Sequence, residues 1–341
     1  MNMGIIIFAA LAAAAVVVFI YFSFKRQSNL KKEVINVRPI IEDPENLKTG
    51  SPGGGEQTTF TVLVENHKSP DRADIRSDHG ISIFVERKGK TFLLDVGDKD
   101  IYYRNARVLG KEIGDVDFVF ISHGHYDHGG GLSHFLNINR KAAVYLSEKA
   151  VKEKHLGKGP GFIKRDISLD DSLLQRYPGR FKFIGRVTEI EEGIYVIPSI
   201  AREYPKPGGN KRLFKLSEGK PVPDDFDHEQ LLVIKDGDGL IVFSGCNHNG
   251  VLNVVFTVQQ QFPGIQIKAV IGGFHLFSPA RVKMSEKPGD VKDLAGKMLS
   301  FDVRNYITGH CTGVEAYKLL KPVLKGKLSY FYAGSVFSFG R

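Results

Sequence analysis

Only two cysteines stand among the 341 residues, too few for a disulfide scaffold. Cys246 and Cys311 each lie inside a His-containing stretch, so a role at a site fits them better than a staple. For Cys311 the reading as a small buried apolar residue stays open. No internal repeat, heptad run or zinc-finger spacing occurs, which excludes a solenoid, a coiled coil or a finger array. An aromatic–basic stripe and a separate nucleic-acid module are also missing, so nucleic acid is not an expected partner. The net charge of +9 is spread rather than blocky and favours anionic partners in general. Hydrophobic content of 42% and charged content of 25% are ordinary for a globular chain of one large or two small domains.

Charge is lacking again at the N-terminus. Gly4 to Phe22 is an uncharged run rich in Ile, Ala and Val, with no Lys or Arg before it. As a helix it would be ~28 Å long at ~1.5 Å per residue, enough to cross a bilayer core. Bulky residues end it where a cleaved signal peptide would carry small ones. Residues 1–24 therefore read as an uncleaved transmembrane anchor, with the membrane a partner through residues 4–24. Lys25, Arg26, Lys31, Lys32 and Arg38 follow, which by the positive-inside rule makes the chain single-pass with a cytoplasmic C-terminal domain. Residues 25–57 read as a linker, broken by Pro39, Pro44, Pro52 and Gly53-Gly54-Gly55. Residues 58–341 remain as the catalytic domain.

The densest chemistry lies in Ser122-His123-Gly124-His125-Tyr126-Asp127-His128-Gly129-Gly130-Gly131, which packs three histidines and one carboxylate into six residues. The apolar run Val116 to Ile121 before it reads as a buried strand. A strand ending in a His/Asp loop puts imidazole and carboxylate donors on a rigid edge, the ligand types of zinc, iron and manganese. His123 and His125 point the same way in an extended segment, and Asp127 and His128 follow on a turn. One loop can thus supply half of each of two adjacent metal sites. A polar loop with accidental histidines is the bland alternative, and clustering weighs against it: the whole chain has 11 His.

His-x-His-x-Asp-His at a strand end resembles the signature loop of the metallo-β-lactamase superfamily. Asp78-His79-Gly80-Ile81-Ser82, Ser244-Gly245-Cys246-Asn247-His248-Asn249-Gly250, Ile271-Gly272-Gly273-Phe274-His275-Leu276 and Thr308-Gly309-His310-Cys311-Thr312-Gly313 resemble one branch of it. That branch is the dihydropterin synthase-like metal-dependent hydrolases, related to 7,8-dihydropterin-6-methyl-4-(β-D-ribofuranosyl)aminobenzene 5'-phosphate synthase. The resemblance covers about residues 60 to 341. It implies an αβ/βα sandwich with helices outside and metals at one rim. It also implies that Asp95, in Asp95-Val96-Gly97, braces the metal loop.

The site expected from the resemblance holds two divalent ions, zinc first, with manganese or iron as alternatives. His123, His125, Asp127, His128, Cys246 and His310 are the expected ligands. Cys246 stands where most of the superfamily has a bridging aspartate, and His248 is an alternative ligand there. Glu229 and His228 are the alternatives for a third ligand of the first site, and His79 is a further candidate lining the cleft. Asp127, His248 and His275 are the expected catalytic residues: Asp127 orients the nucleophile, and the two histidines contact the leaving group or a substrate phosphate. Coordination can lower the pKa of water from 15.7 to about 7, so hydrolysis through a metal-bound hydroxide needs no strong base. The basic stretch Arg202 to Pro223 reads as a long loop that either folds over a phosphate-bearing substrate or is simply solvated. A membrane-anchored hydrolase of a small phosphate-containing molecule is the leading reading. The alternatives are a pterin/ribofuranosylaminobenzene phosphate synthase-like transferase, a mononuclear iron oxygenase, or a metal-free binding module.

Overall fold

The computed structural model describes residues 57–159, 164–279 and 282–340. The β-branched and aromatic runs of the chain pair into two seven-stranded sheets. The first runs β20 (Val336–Phe339), β1 (Thr58–Val64), β2 (Ser82–Arg87), β3 (Lys90–Leu94), β4 (Phe118–Phe120), β5 (Ala143–Leu146), β8 (Phe181–Phe183). The second runs β19 (Leu328–Tyr330), β18 (Val303–Thr308), β15 (Gln266–Ile271), β14 (Gly239–Phe243), β13 (Leu231–Asp236), β10 (Ile194–Ile197), β9 (Thr188–Glu191). A short ribbon of β16 (Phe277–Ser278) and β17 (Lys283–Met284) stands apart from both.

Side chains two apart share a face of a strand, and this period builds the core. Phe60, Val62, Ile83, Val85, Phe92, Leu94, Phe118 and Phe120 of the first sheet join one buried cluster with Ile194, Val196, Leu232, Ile234, Ile241, Phe243, Ala269, Ile271 and Ile307 of the second. The opposite face of the first sheet, through Leu63, Phe84, Leu93, Val119 and Val144, packs on Tyr102 and Ala106 of helix Ile101–Val108 and on Leu132, Phe135 and Leu136 of helix Leu132–Ile138. Helices Val251–Gln261 and Val314–Leu324 follow β14 and β18 of the second sheet, helix Pro288–Leu299 follows the ribbon, and all three bury their apolar stripes. The fold is a mixed α/β sandwich, two facing sheets with helices on the outside, as expected.

β3, β4, β5 and β8 run parallel, as do β14, β15, β18 and β19. Their C-terminal ends lead into the stretches that carry Asp95, His123 to His128, Cys246, His275 and His310. Arg202 to Pro223 is not the long loop expected. It holds a short 3-10 turn, Gly208–Arg212, and a hairpin of β11 (Leu213–Ser217) and β12 (Lys220–Pro223). The hairpin joins β6 (His155–Lys158) and β7 (Lys164–Asp166) in a small four-stranded sheet. Alternation of Phe214 and Leu216 around Lys215 suits a strand, and the surrounding Pro, Gly and Lys obscured it.

The apolar run 4–24, and the linker through residue 56, lie outside the described residues. Among the described residues no helix is long and apolar enough to cross a membrane. Helix Pro288–Leu299, at 12 residues, reaches only ~18 Å against the ~30 Å of a bilayer core. This corrects the expected single-pass membrane location with a cytoplasmic domain.

Candidate metal centre

The rim brings His123, His125, Asp127, His128, Cys246, His248, His275 and His310 together, each no more than 8% exposed. His79 sits beside them and is partly exposed. His123 Nε2 faces His125 Nδ1 at 3.0 Å, and the ring of His248 lies 4.9 Å from each of theirs. One nitrogen from each of these three lies within 4.8 Å of the other two. Asp127 Oδ2 anchors a second group: His79 Nε2 at 3.1 Å, His310 Nε2 at 3.3 Å and His128 Nε2 at 4.0 Å. Cys246 Sγ is 3.1 Å from His128 Nε2. It also clusters with His123, with His248 and His275, and with His310 and Cys311, so the sulfur lies between the two groups.

The backs of these rings decide which nitrogens are free. His128 Nδ1 donates to Asp95 Oδ2 at 2.6 Å. His123 Nδ1 donates to Ser122 Oγ at 2.9 Å, and that hydroxyl donates on to Asp95 Oδ2 at 2.7 Å. His310 Nδ1 donates to Asn66 Oδ1 at 2.9 Å, and His248 Nδ1 to Asn210 Oδ1 at 3.0 Å. The rings of His123, His248 and His310 then turn an unprotonated Nε2 inward, and His128 points its Nε2 the same way. For His248 that atom is buried with no hydrogen-bond partner. A buried polar atom left unpaired costs about 1–3 kcal/mol, and a cation would satisfy it. A ligating histidine that gives its other N–H to a carboxylate or carbonyl is the usual support of a metal site.

Burial holds His123, His125 and His248 well below the ordinary histidine range, so they stay neutral and keep their lone pairs. Burial also opposes charge on His128, but the Asp95 and Asp127 carboxylates outweigh it and push it up to about 9. Desolvation works against ionised Asp127 too, yet His128, His310 and His79 keep it well below the usual carboxylate range. Burial and the adjacent Cys311 push the Cys246 thiol up. A metal ion nearby would reverse that, since a coordinating thiol is deprotonated.

Glu229 does not face either group. Its Oε1 accepts the backbone N–H of His248 at 2.7 Å, and Oε2 accepts that of Asn249 at 2.8 Å. Glu65 serves His310 likewise, Oε1 accepting its N–H at 2.6 Å. These contacts secure a contorted backbone: Asp95, Phe226, Asn247, His275 and His310 all have φ between 48 and 57°. Gly245, at φ 59°, also brings the chain against the metal loop, since a Cβ there would meet Ser122 Oγ at 2.3 Å. His275 leaves a buried Nδ1 without a partner, and its ring lies 4.1 Å from that of His248, tilted by 52°. Glu65, Asn66 and Asn210 escape a reading of the sequence. None sits in a His-rich motif, and only the fold brings them to the rim.

A family model for the metallo-beta-lactamase superfamily matches residues 78–261, and the chain belongs to that superfamily. Among curated proteins it is 27% identical over 279 residues to the 7,8-dihydropterin-6-methyl-4-(beta-D-ribofuranosyl)-aminobenzene-5'-phosphate synthase of Methanocaldococcus jannaschii, spanning 77% of this chain and 90% of that one. It is 31% identical over 203 residues to the uncharacterised protein MJ0448 of the same organism, spanning 59% of this chain and 73% of that one. Among solved structures it is similar to Tm1679, described as a metal-dependent hydrolase of the beta-lactamase superfamily. That match has a TM-score of 0.70 at 29% identity and covers 83% of this chain and 100% of the other.

Proposed function

We propose that residues 58–341 form the catalytic domain of a metal-dependent hydrolase acting on a small phosphate-bearing molecule. The carrying observation is the set of inward imidazole nitrogens whose opposite nitrogens all rest on acceptors. His123 Nε2, His125 Nδ1 and His248 Nε2 would hold one divalent cation. Asp127, His128 Nε2 and His310 Nε2 would hold a second, with Cys246 between them and His79 at the open side. The mixed nitrogen and sulfur donors favour zinc over magnesium or calcium. Bound cations of this kind supply Lewis acidity and make water a nucleophile at neutral pH.

The chain's own groups supply orientation. Asp127 Oδ2, held ionised, accepts a hydrogen bond from the attacking water and aims it. His275 Nδ1, buried and unpaired, is the group offered to the leaving oxygen or to a substrate phosphate. Phe226 stacks flat on His248 at 4.4 Å and fixes the floor of the cleft. The Lys206 ammonium lies 5.6 Å from the Phe226 ring and is a partner for phosphate.

The likeness to Tm1679 supports hydrolysis. The likeness to the pterin phosphate synthase over 90% of its length supports a second reading, group transfer to a ribofuranosylaminobenzene phosphate. The test is elemental analysis of the purified protein followed by a panel of phosphomonoesters and cyclic phosphodiesters. Two equivalents of zinc or manganese with phosphate release support hydrolysis. Two equivalents with turnover only on a pterin diphosphate plus an aminobenzene acceptor support transfer. One equivalent of iron would move the reading to oxygen chemistry, and a folded protein without metal would leave a binding module.

A further inference from the structure

One buried cluster takes no part in the chemistry proposed for the rim. His155, Asp224 and His228 lie behind His125, with His155 and His228 fully buried and Asp224 8% exposed. Asp224 is the hub: its Oδ2 is 3.1 Å from His155 Nδ1 and 3.4 Å from His228 Nε2, and its Oδ1 accepts the Phe226 N–H at 2.8 Å. One donor atom each from His125, His155, Asp224 and His228 lie within 4.8 Å of one another.

Four such donors suggest a third cation site, but the tautomers argue otherwise. His228 Nδ1 accepts the backbone N–H of Gly124 at 3.0 Å. Neutral His228 must therefore carry its proton on Nε2, which lies 3.4 Å from Asp224 Oδ2 without making a hydrogen bond to it, and has no lone pair left for a metal. His155 gives its Nδ1–H to the same carboxylate, which leaves an unprotonated Nε2, buried and without a donor. His125 presents the converse. With a cation bound beside His123, the Nδ1 lone pair of His125 would be engaged and its proton would sit on Nε2, which is buried and without an acceptor. The two rings meet edge to face at 5.8 Å. Gly124 makes the approach sterically feasible, since a Cβ there would lie 2.7 Å from His155 Nε2.

We propose that His155, held by Asp224, is the positioning residue that accepts the Nε2–H of His125 through one bridging water, and so fixes His125 as an Nδ1 ligand. The chain of contacts runs from His125 through His155 to Asp224. His228 accepts the Gly124 N–H of the metal loop and sets its Nε2 beside the same carboxylate at 3.4 Å. The small sheet thereby gains a purpose: β6 carries His155, and Asp224 follows β12.

This inference rests on the two-cation reading, and its test separates the two. The full chain is titrated with cobalt(II), reading affinity by competition and ligand geometry by visible absorption. Wild type is expected to take two equivalents. His155→Phe, which keeps a ring but no acceptor, should bind one of the two about 10–100-fold more weakly, with an altered spectrum. His155→Gln, whose Oε1 can accept, should recover most of that loss, and Asp224→Asn should weaken the same equivalent. Should His155→Phe fail to fold by circular dichroism, the comparison passes to Asp224→Asn against His155→Gln. Two equivalents with unchanged affinity and spectrum in the variants would overturn this inference alone. A third equivalent in wild type, lost on substitution, would make His155 a ligand and also overturn it. No cobalt bound to wild type would overturn the metal reading itself.

Discussion

Asn210 grips His248 at two points, its Nδ2 donating to the His248 carbonyl at 2.7 Å and its Oδ1 accepting from His248 Nδ1 at 3.0 Å. Asn66 grips His310 in the same way, at 3.3 and 2.9 Å. Each histidine also has its backbone N–H on a buried glutamate, Glu229 or Glu65. Two histidines that follow strands of the second sheet thus sit in matching cradles, and the one around His310 is completed by Glu65 and Asn66, which follow β1 of the first sheet. Asn210→Ala should loosen only the cation shared by His123, His125 and His248, and Asn66→Ala only the one on Asp127 and His310. Removing such support costs about 10–100-fold in metal affinity. Metal titrations of the two variants should show one weakened equivalent each. Equal loss of both equivalents in either variant would refute this division of labour.

Asp95 differs, because it serves both groups. Its Oδ1 accepts the Ser122 N–H at 2.7 Å, while Oδ2 accepts from Ser122 Oγ and from His128 Nδ1. Through Ser122 it orients His123 in the first group, and directly it orients His128 in the second. Asp95→Asn replaces an acceptor by an N–H facing donors, so both equivalents should weaken together. The neighbouring His128, now without its main counter-charge, should also lose its elevated basicity. A histidine-resolved NMR titration reads that directly, and a His128 titration unchanged from wild type would contradict it.

How far the sequence could be read depends on which interactions are local. The loop from His123 to His128 was legible because strand, ligand spacing and glycines are contiguous. The sandwich strands follow a period of two, as at Ile83 and Val85, and depart from it where a bulge after Val62 turns Val64 to the face of Leu63. Glu229 was not: a carboxylate beside a histidine looks like a ligand, and only the fold turns both oxygens onto the backbone of His248 and Asn249. Asn66 and Asn210 carry no pattern at all, since their partners lie 244 and 38 positions away. Helix Pro288–Leu299 was missed because Gly289 and Gly296 dilute its apolar stripe of Val291, Ala295 and Met298.

Burial raises the Glu65 and Glu229 carboxyls from 4.5 to about 7. Between those values the folded protein binds more protons than the unfolded chain. Stability therefore falls as pH rises through about 4.5 to 7, and it is greatest, for these two groups, below that window. Each full shift corresponds to roughly 3 kcal/mol at ~1.36 kcal/mol per pH decade. Urea unfolding of the metal-free protein at pH 5 and pH 7.5 measures the difference. Glu65→Gln and Glu229→Gln should each flatten it, whatever they cost in absolute stability. A slope equal to that of wild type in both variants would show that the carboxyls are not protonated in the folded state.

Metal removal should destabilise the domain without unfolding it at room temperature. Burial keeps His123, His125 and His248 neutral, so emptying the first group leaves no cluster of like charges in the rim. The two-sheet core, from Phe60 through Ile307, does not involve the ligands. What is lost is binding free energy that only the native state enjoys, about 2.7 kcal/mol per site at a free metal concentration 100 times Kd. Two sites lost together should lower Tm by on the order of 10 °C for a domain of this size. Thermal melts with and without a chelator, followed by zinc add-back, test this. A Tm that stays put while metal content falls to zero would mean that the cations contribute nothing to the native state, and that the orphaned nitrogen of His248 is satisfied by something else.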